Sequence, residues 1–150
     1  MRQAAASLAA VGLLVTGALV VTAGPAEAQR KFLERVRRDY MLHPREIGKC
    51  DLCHKLGPKE DPTRENINEF GKAIQNHADF KPLAGKSDEY KFTKEELDLL
   101  QKIVVSLESQ DTDGDGATNK EELELSTFPG DAASKPDPKK LEDFRAKNKK

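Results

Sequence analysis

Apolar positions along the chain form one continuous run followed by three spaced stripes. The run covers about Leu8 to Val21, behind Arg2 and ahead of Gly24, Pro25 and a polar remainder. The first stripe sets Phe32, Val36 and Tyr40 four apart among Arg and Glu. This predicts an amphipathic helix over 30–42, ended by Pro44 and Gly48. The second places Ile67, Phe70, Ile74 and His77 on one face of a helix starting near Thr63. The third opens on a capping box, Thr93 with Glu96, and carries Leu97, Leu100, Val104 and Leu107 to about Ser109. Further on, a short helical segment is expected from about Lys120 to Leu125. Asp137 and Pro138 can open another, carrying Leu141 and Phe144, which is marginal without a partner. Strand-like alternation is missing throughout, so the expected class is all-α with irregular loops.

The first run has the order of a secretory leader: a charged start, an apolar middle, and Ala26, Glu27 and Ala28 as an A-x-A cleavage site. Cleavage after Ala28 leaves a chain starting at Gln29. As a membrane anchor the run is short, broken by Gly12 and Gly17. The expectation is therefore a periplasmic or extracellular protein with no stable membrane insertion.

Charge and composition then narrow the function. Lys plus Arg number 25 against 26 Asp plus Glu, and Arg2 and Glu27 are the leader's charged residues, so the balance stays near zero after cleavage. Such balance gives no argument for nucleic acid. With no Trp, 5% aromatic residues and a mean hydropathy of -0.70, a domain of about 120 residues has a thin core and needs a staple.

Cys50, Cys53 and His54 form C-x-x-C-H, the attachment pattern of c-type haem. Two thiols three residues apart on a helical turn can each join one vinyl group of the porphyrin, and the adjacent His projects to the iron. A thioredoxin-like pair wants a preceding strand and a βαβ setting. A structural zinc site wants four ligands, and no third Cys exists. A plain disulfide leaves His54 unexplained.

The second axial ligand is open between several groups. Met and a second His are the usual partners. Past the leader the chain offers Met41, His43 and His77. His77 shares the face of Ile67, Phe70 and Ile74 and is the leading candidate, with Gly71 permitting close approach. Its bland alternative is an exposed His at a helix C-terminus. A five-coordinate iron is the remaining option.

Residues 111–122 read D-T-D-G-D-G-A-T-N-K-E-E. Asp111, Asp113 and Asp115 stand at positions 1, 3 and 5 of a twelve-residue calcium loop, and Gly116 supplies the sharp turn. Ala117 offers its carbonyl at position 7, Asn119 stands at 9, and Glu122 closes the site at 12. Alternate carboxylates in a tight loop converge on one hard cation.

The C-x-x-C-H run and the helices around it resemble small monohaem c-type cytochromes over residues 30–109, departing from the common pattern by having no Met well after the motif. The loop resembles single bacterial calcium repeats of the thrombospondin type 3 and dockerin kind, which are mostly structural. The resemblances imply a leader at 1–28, a cytochrome c-like haem domain at 29–110, a calcium loop and short helix at 111–128, and a flexible Lys-rich tail at 129–150. They imply a one-electron carrier and not an enzyme, holding one covalent haem and Ca²⁺ and meeting periplasmic or cell-surface redox partners. The alternatives are a haem ligand sensor or peroxide-reactive enzyme with an open iron position, and a surface docking module.

Overall fold

The computed structural model describes residues 27–42, 47, 49–58, 60–86 and 90–149, with side chains from Arg30 onward. The apolar run expected as a leader, and His43, lie outside the described residues. Among the described residues five α-helices follow one another: α1 (Glu27–Asp39), α2 (Glu69–Asn76), α3 (Lys94–Leu107), α4 (Asn119–Leu125) and α5 (Pro138–Asn148). Two 3₁₀ segments, Cys50–Leu52 and Ala78–Leu83, join them. Among the described residues there is no strand, only an isolated antiparallel bridge between His54 and Ile67, so the all-α class holds. No helix among the described residues is long and apolar enough to cross a membrane.

Helix α1 stops earlier than Pro44 and Gly48 suggest. Met41 takes the left-handed conformation at φ 51°, and the Leu42 N–H reaches back to the Arg37 carbonyl at 2.8 Å. This is a Schellman end, in which a left-handed residue satisfies the last carbonyls and the next apolar residue folds onto the helix. Leu42 is accordingly buried while Met41 is 86% exposed.

Helix α2 starts six residues after Thr63 because two asparagines divert the backbone. The Asn66 side chain bonds back to Thr63 and Asp61. The Asn68 carbonyl oxygen accepts from the Gly71 N–H at 2.9 Å as the N-cap. Such local bonds compete with helix hydrogen bonds and set the start. Ile67 therefore lies on the bridge with His54 and not on α2. The expected capping box at Thr93 and Glu96 is present on α3, and a second one, Thr118 with Glu121, starts α4.

The core is continuous across all of these pieces. Val36, Tyr40 and Leu42 from α1 and its end meet Phe70 and Ile74 of α2 and Leu100, Ile103, Val104 and Leu107 of α3. Leu123 of α4 belongs to the same cluster, and Phe128 packs against it, so the helix that follows the acidic loop is built into the common core. Each such side chain contributes roughly 1.5–3 kcal/mol on full burial.

In place of the flexible tail expected from their Pro and Lys content, residues 129–149 fold onto α4. Pro129 and Pro136 are fully buried. Asp137 caps α5 by accepting from the Lys139 and Lys140 N–H groups. Helix α5 packs on α4, with Leu141 buried and Arg145 bonded to Glu121 through Nε at 2.6 Å and Nη2 at 2.8 Å. The partner without which this helix would be marginal is α4.

Candidate cofactor cleft and cation loop

The Cys50–Leu52 turn opens onto a cleft of about 1030 Å³, at the upper end of the roughly 300–1,000 Å³ usual for ligand sites. Cys50, Cys53 and His54 all line it. Apolar side chains from three sequence-distant elements form its floor: Phe32 and Leu33 of α1, Ile74 of α2, and Leu100 of α3. Phe80, Leu83 and Phe92 from the connections add to it, and Lys49, Arg64 and Lys86 are cationic residues of its lining.

The turn is held from behind by α2. The Asn68 amide donates to the Asp51 carbonyl at 3.2 Å and the Leu52 carbonyl at 3.1 Å. The Asn68 N–H donates to the Cys53 carbonyl at 3.0 Å. Gly71 lies so close that a Cβ there would overlap the Cys53 carbonyl oxygen. Its small size thus serves the contact between α2 and the turn.

Both thiols are free. Burial pushes the Cys53 thiol up to about 12, with the neighbouring Cys50 adding to the shift.

His54 is half-buried, and its Nδ1 lies 3.0 Å from the Asn66 side-chain oxygen. His77 is placed differently. It caps the end of α2 and is not among the residues lining the cleft. Its Nδ1 accepts from the Asp79 N–H at 3.2 Å, and its Nε2 sits 3.1 Å from the Ser106 hydroxyl. That hydroxyl donates to the Ile103 carbonyl at 2.7 Å, so it accepts from His77 Nε2–H and both ring nitrogens are engaged. The structure does not bring His77 to the cleft, because α2 ends at Asn76 and the chain turns away there. Met41 does not line the cleft either.

In the acidic loop, Asp111, Asp113 and Asp115 bring ligand oxygens within 4.8 Å of one another. Gly114 and Gly116 take φ of 78° and 96°, which only glycine adopts without strain. Glu122 is fully buried, and neither of its carboxylate oxygens has a hydrogen-bond partner; one oxygen each of Asp113 and Asp115 is in the same condition. Burial and then the charges of Asp113, Asp115 and Asp111 push the Glu122 carboxyl up to about 9. Buried carboxylates without partners are costly, and a hard cation relieves that cost directly.

Asn119 departs from its expected place. Its amide nitrogen donates to the Leu107 carbonyl at 2.8 Å, and its oxygen accepts from the Thr112 hydroxyl at 2.9 Å. It ties the loop to the end of α3 instead of offering an oxygen at position 9. Ala117 is fully buried. Behind the loop, Lys135 bonds to the Asp115 carbonyl and Arg145 Nη2 to the Gly116 carbonyl at 2.9 Å.

Asn66, Asn68, Thr112 and Arg145 were not singled out by motif. Asn68 was readable as an N-cap followed by an apolar helix, but Asn66 and Arg145 act through contacts that sequence spacing does not carry. No protein-family model, curated protein or solved structure matches this chain.

Proposed function

We propose that the chain is an exported c-type cytochrome that carries one covalent haem, passes single electrons between partner proteins outside the cytoplasm, and holds a structural calcium ion in its acidic loop. The observation that carries the reading is the opening of Cys50, Cys53 and His54 onto one large cleft with an apolar floor. The residues fit the group. Two thiols stand three residues apart, an imidazole follows, and Phe32, Leu33, Ile74 and Leu100 give the cleft an apolar lining.

Joined to the two cysteines and ligated by His54, a haem supplies one-electron chemistry at its iron. The chain's own residues do the rest. Asn68 and Gly71 hold the Cys50–His54 turn against α2. Phe32, Leu33, Ile74 and Leu100 exclude water from the floor, and Lys49 and Arg64 offer cationic partners for acidic substituents.

Asp111, Asp113, Asp115 and Glu122 converge on the cation, with the Ala117 carbonyl as a further oxygen. Bound calcium adds its binding free energy to folding and ties α3, α4 and α5 into one unit. The test is maturation in a periplasm that performs haem attachment. Absorbance that stays with the polypeptide on a denaturing gel supports the reading, and its absence despite good export overturns it.

An open sixth position on the iron is the second reading, favoured by the placement of His77 and Met41. A ferrous protein that binds carbon monoxide, with a spectrum unchanged in His77→Ala, supports it. A low-spin ferrous protein indifferent to carbon monoxide removes it.

A further inference from the structure

We propose that Asn66 is the positioning residue of the iron-facing imidazole: it fixes His54 in the Nδ1–H form, leaves Nε2 as the ligating nitrogen, and raises its basicity. The inference rests on the haem reading for its consequence but not for its geometry.

The argument starts from which way the Asn66 amide points. Its oxygen accepts from the Thr63 N–H at 2.8 Å, and its nitrogen donates to the Asp61 carbonyl at 2.9 Å. Reversing the amide would face N–H against N–H at Thr63 and oxygen against oxygen at Asp61, so two separate backbone groups set its direction. The oxygen is thereby committed to His54 Nδ1, 3.0 Å away. An amide oxygen only accepts, hence Nδ1 carries the proton and Nε2 keeps its lone pair.

The backbone holds both partners in register. The Lys55 N–H donates to the Asn66 carbonyl at 2.6 Å, and His54 bridges Ile67. His54 Nε2 makes no hydrogen bond among the described residues. This is the opposite arrangement to His77, whose two nitrogens are both spent.

A hydrogen bond from the distal ring nitrogen of a ligating His fixes its tautomer and orientation and makes it a stronger donor. A stronger donor favours the ferric over the ferrous state, so Asn66 holds the reduction potential down. A carboxylate at 66 should lower it further, and an apolar side chain should raise it.

The test uses matured holoprotein of the wild type, Asn66→Asp and Asn66→Leu, all checked for helix content and covalent haem. The expected order of midpoint potentials is Asn66→Asp below wild type below Asn66→Leu. Equal potentials, or shifts of one sign in both variants, overturn the proposal. In parallel, ¹⁵N NMR of His54 in the haem-free chain should show the Nδ1–H form in the wild type and reversion to the Nε2–H-rich mixture of free imidazole in Asn66→Leu. A wild-type Nε2–H form overturns the assignment. A wild type that never attaches haem, yet shows Nδ1–H, overturns the proposed function and leaves the role of Asn66 toward His54 standing.

Discussion

The cleft and the acidic loop are both places where the chain collects ligand groups, but they are assembled over different distances. The loop draws its carboxylates from the twelve residues 111–122, and what it needs from elsewhere is support: Asn119 against Leu107, and Arg145 and Lys135 against the loop carbonyls. The cleft draws only its three reactive residues from one segment. Its walls come from residues as far apart as Phe32 and Leu100. A short-range site is complete once its own turn forms, whereas a long-range one exists only when the whole core has assembled.

The largest expected effect separates the two sites outright. Cys50→Ser with Cys53→Ser should abolish covalent haem entirely, read on a denaturing gel, while the response to calcium persists. Loss of both responses together would mean that the two regions are not separable.

The next effect belongs to the loop. Calcium at about 100 times its dissociation constant should stabilise the protein by about 2.7 kcal/mol. For a domain of this size that is on the order of 10 °C in melting temperature. Glu122→Gln should reverse the order of stability. Without calcium the variant melts above the wild type at neutral pH, because the buried Glu122 carboxyl, pushed up to about 9, must take up a proton on folding and Gln need not, and with calcium it melts below. A wild-type melting curve indifferent to calcium and to chelator would sink the cation site.

Gly71→Ala probes the long-range site. A Cβ pressed on the Cys53 carbonyl cannot be absorbed by a flexible side chain, so a loss of about 1–3 kcal/mol is expected, together with poorer haem attachment. Denaturant unfolding that leaves the variant equal to the wild type would show that α2 and the turn can part without cost.

Leu141→Ala tests whether the C-terminal segment is part of the fold. Loosening α5 from α4 should cost about 1–2 kcal/mol, weaken calcium binding, and expose residues 138–149 to protease. A cleavage pattern and calcium affinity identical to wild type would return this segment to the status of a tail.

The smallest effect lies at the rim of the cleft. Hydrogen bonds from Lys86, the Thr93 N–H and Tyr90 hold the Glu96 carboxyl down at about 2. Its contribution is present above the ordinary carboxylate range near 4.5 and is lost as pH falls toward 2. The side chain is half-buried at the surface, where solvent still screens the pair, so the change is small. Wild type and Glu96→Gln should therefore differ at pH 6 and converge at pH 2, followed by denaturant melts, and a difference that is the same at both pH values would remove the pair as the cause.

Much of this was legible in residue order for a physical reason. Helix α3 announces itself through Thr93, Glu96 and four apolar residues at helical spacing, because cap and stripe are both local. The acidic loop is legible on the same ground, as is the reactive trio of Cys50, Cys53 and His54. The start of α2 was missed because Asn66 and Asn68 outbid the helix with side-chain bonds, and the end of α1 because a Schellman turn formed on Met41 without a glycine. The tail was misjudged because its Pro and Lys content suggests a solvated chain, whereas α4 supplies the apolar and acidic face that α5 needs.

By itself, then, the sequence determined the helical class, the three groups that can hold a haem and the carboxylates that can hold a cation, since each depends on neighbours within a dozen residues. The tertiary structure alone decided the rest. It turned His77 toward Ser106 and away from the cleft, committed Asn119 to Leu107, docked α5 on α4, and set Asn66 behind His54. Those outcomes depend on where the backbone goes between distant segments, and that path is set by the shared core formed by α1, α2, α3 and Leu123.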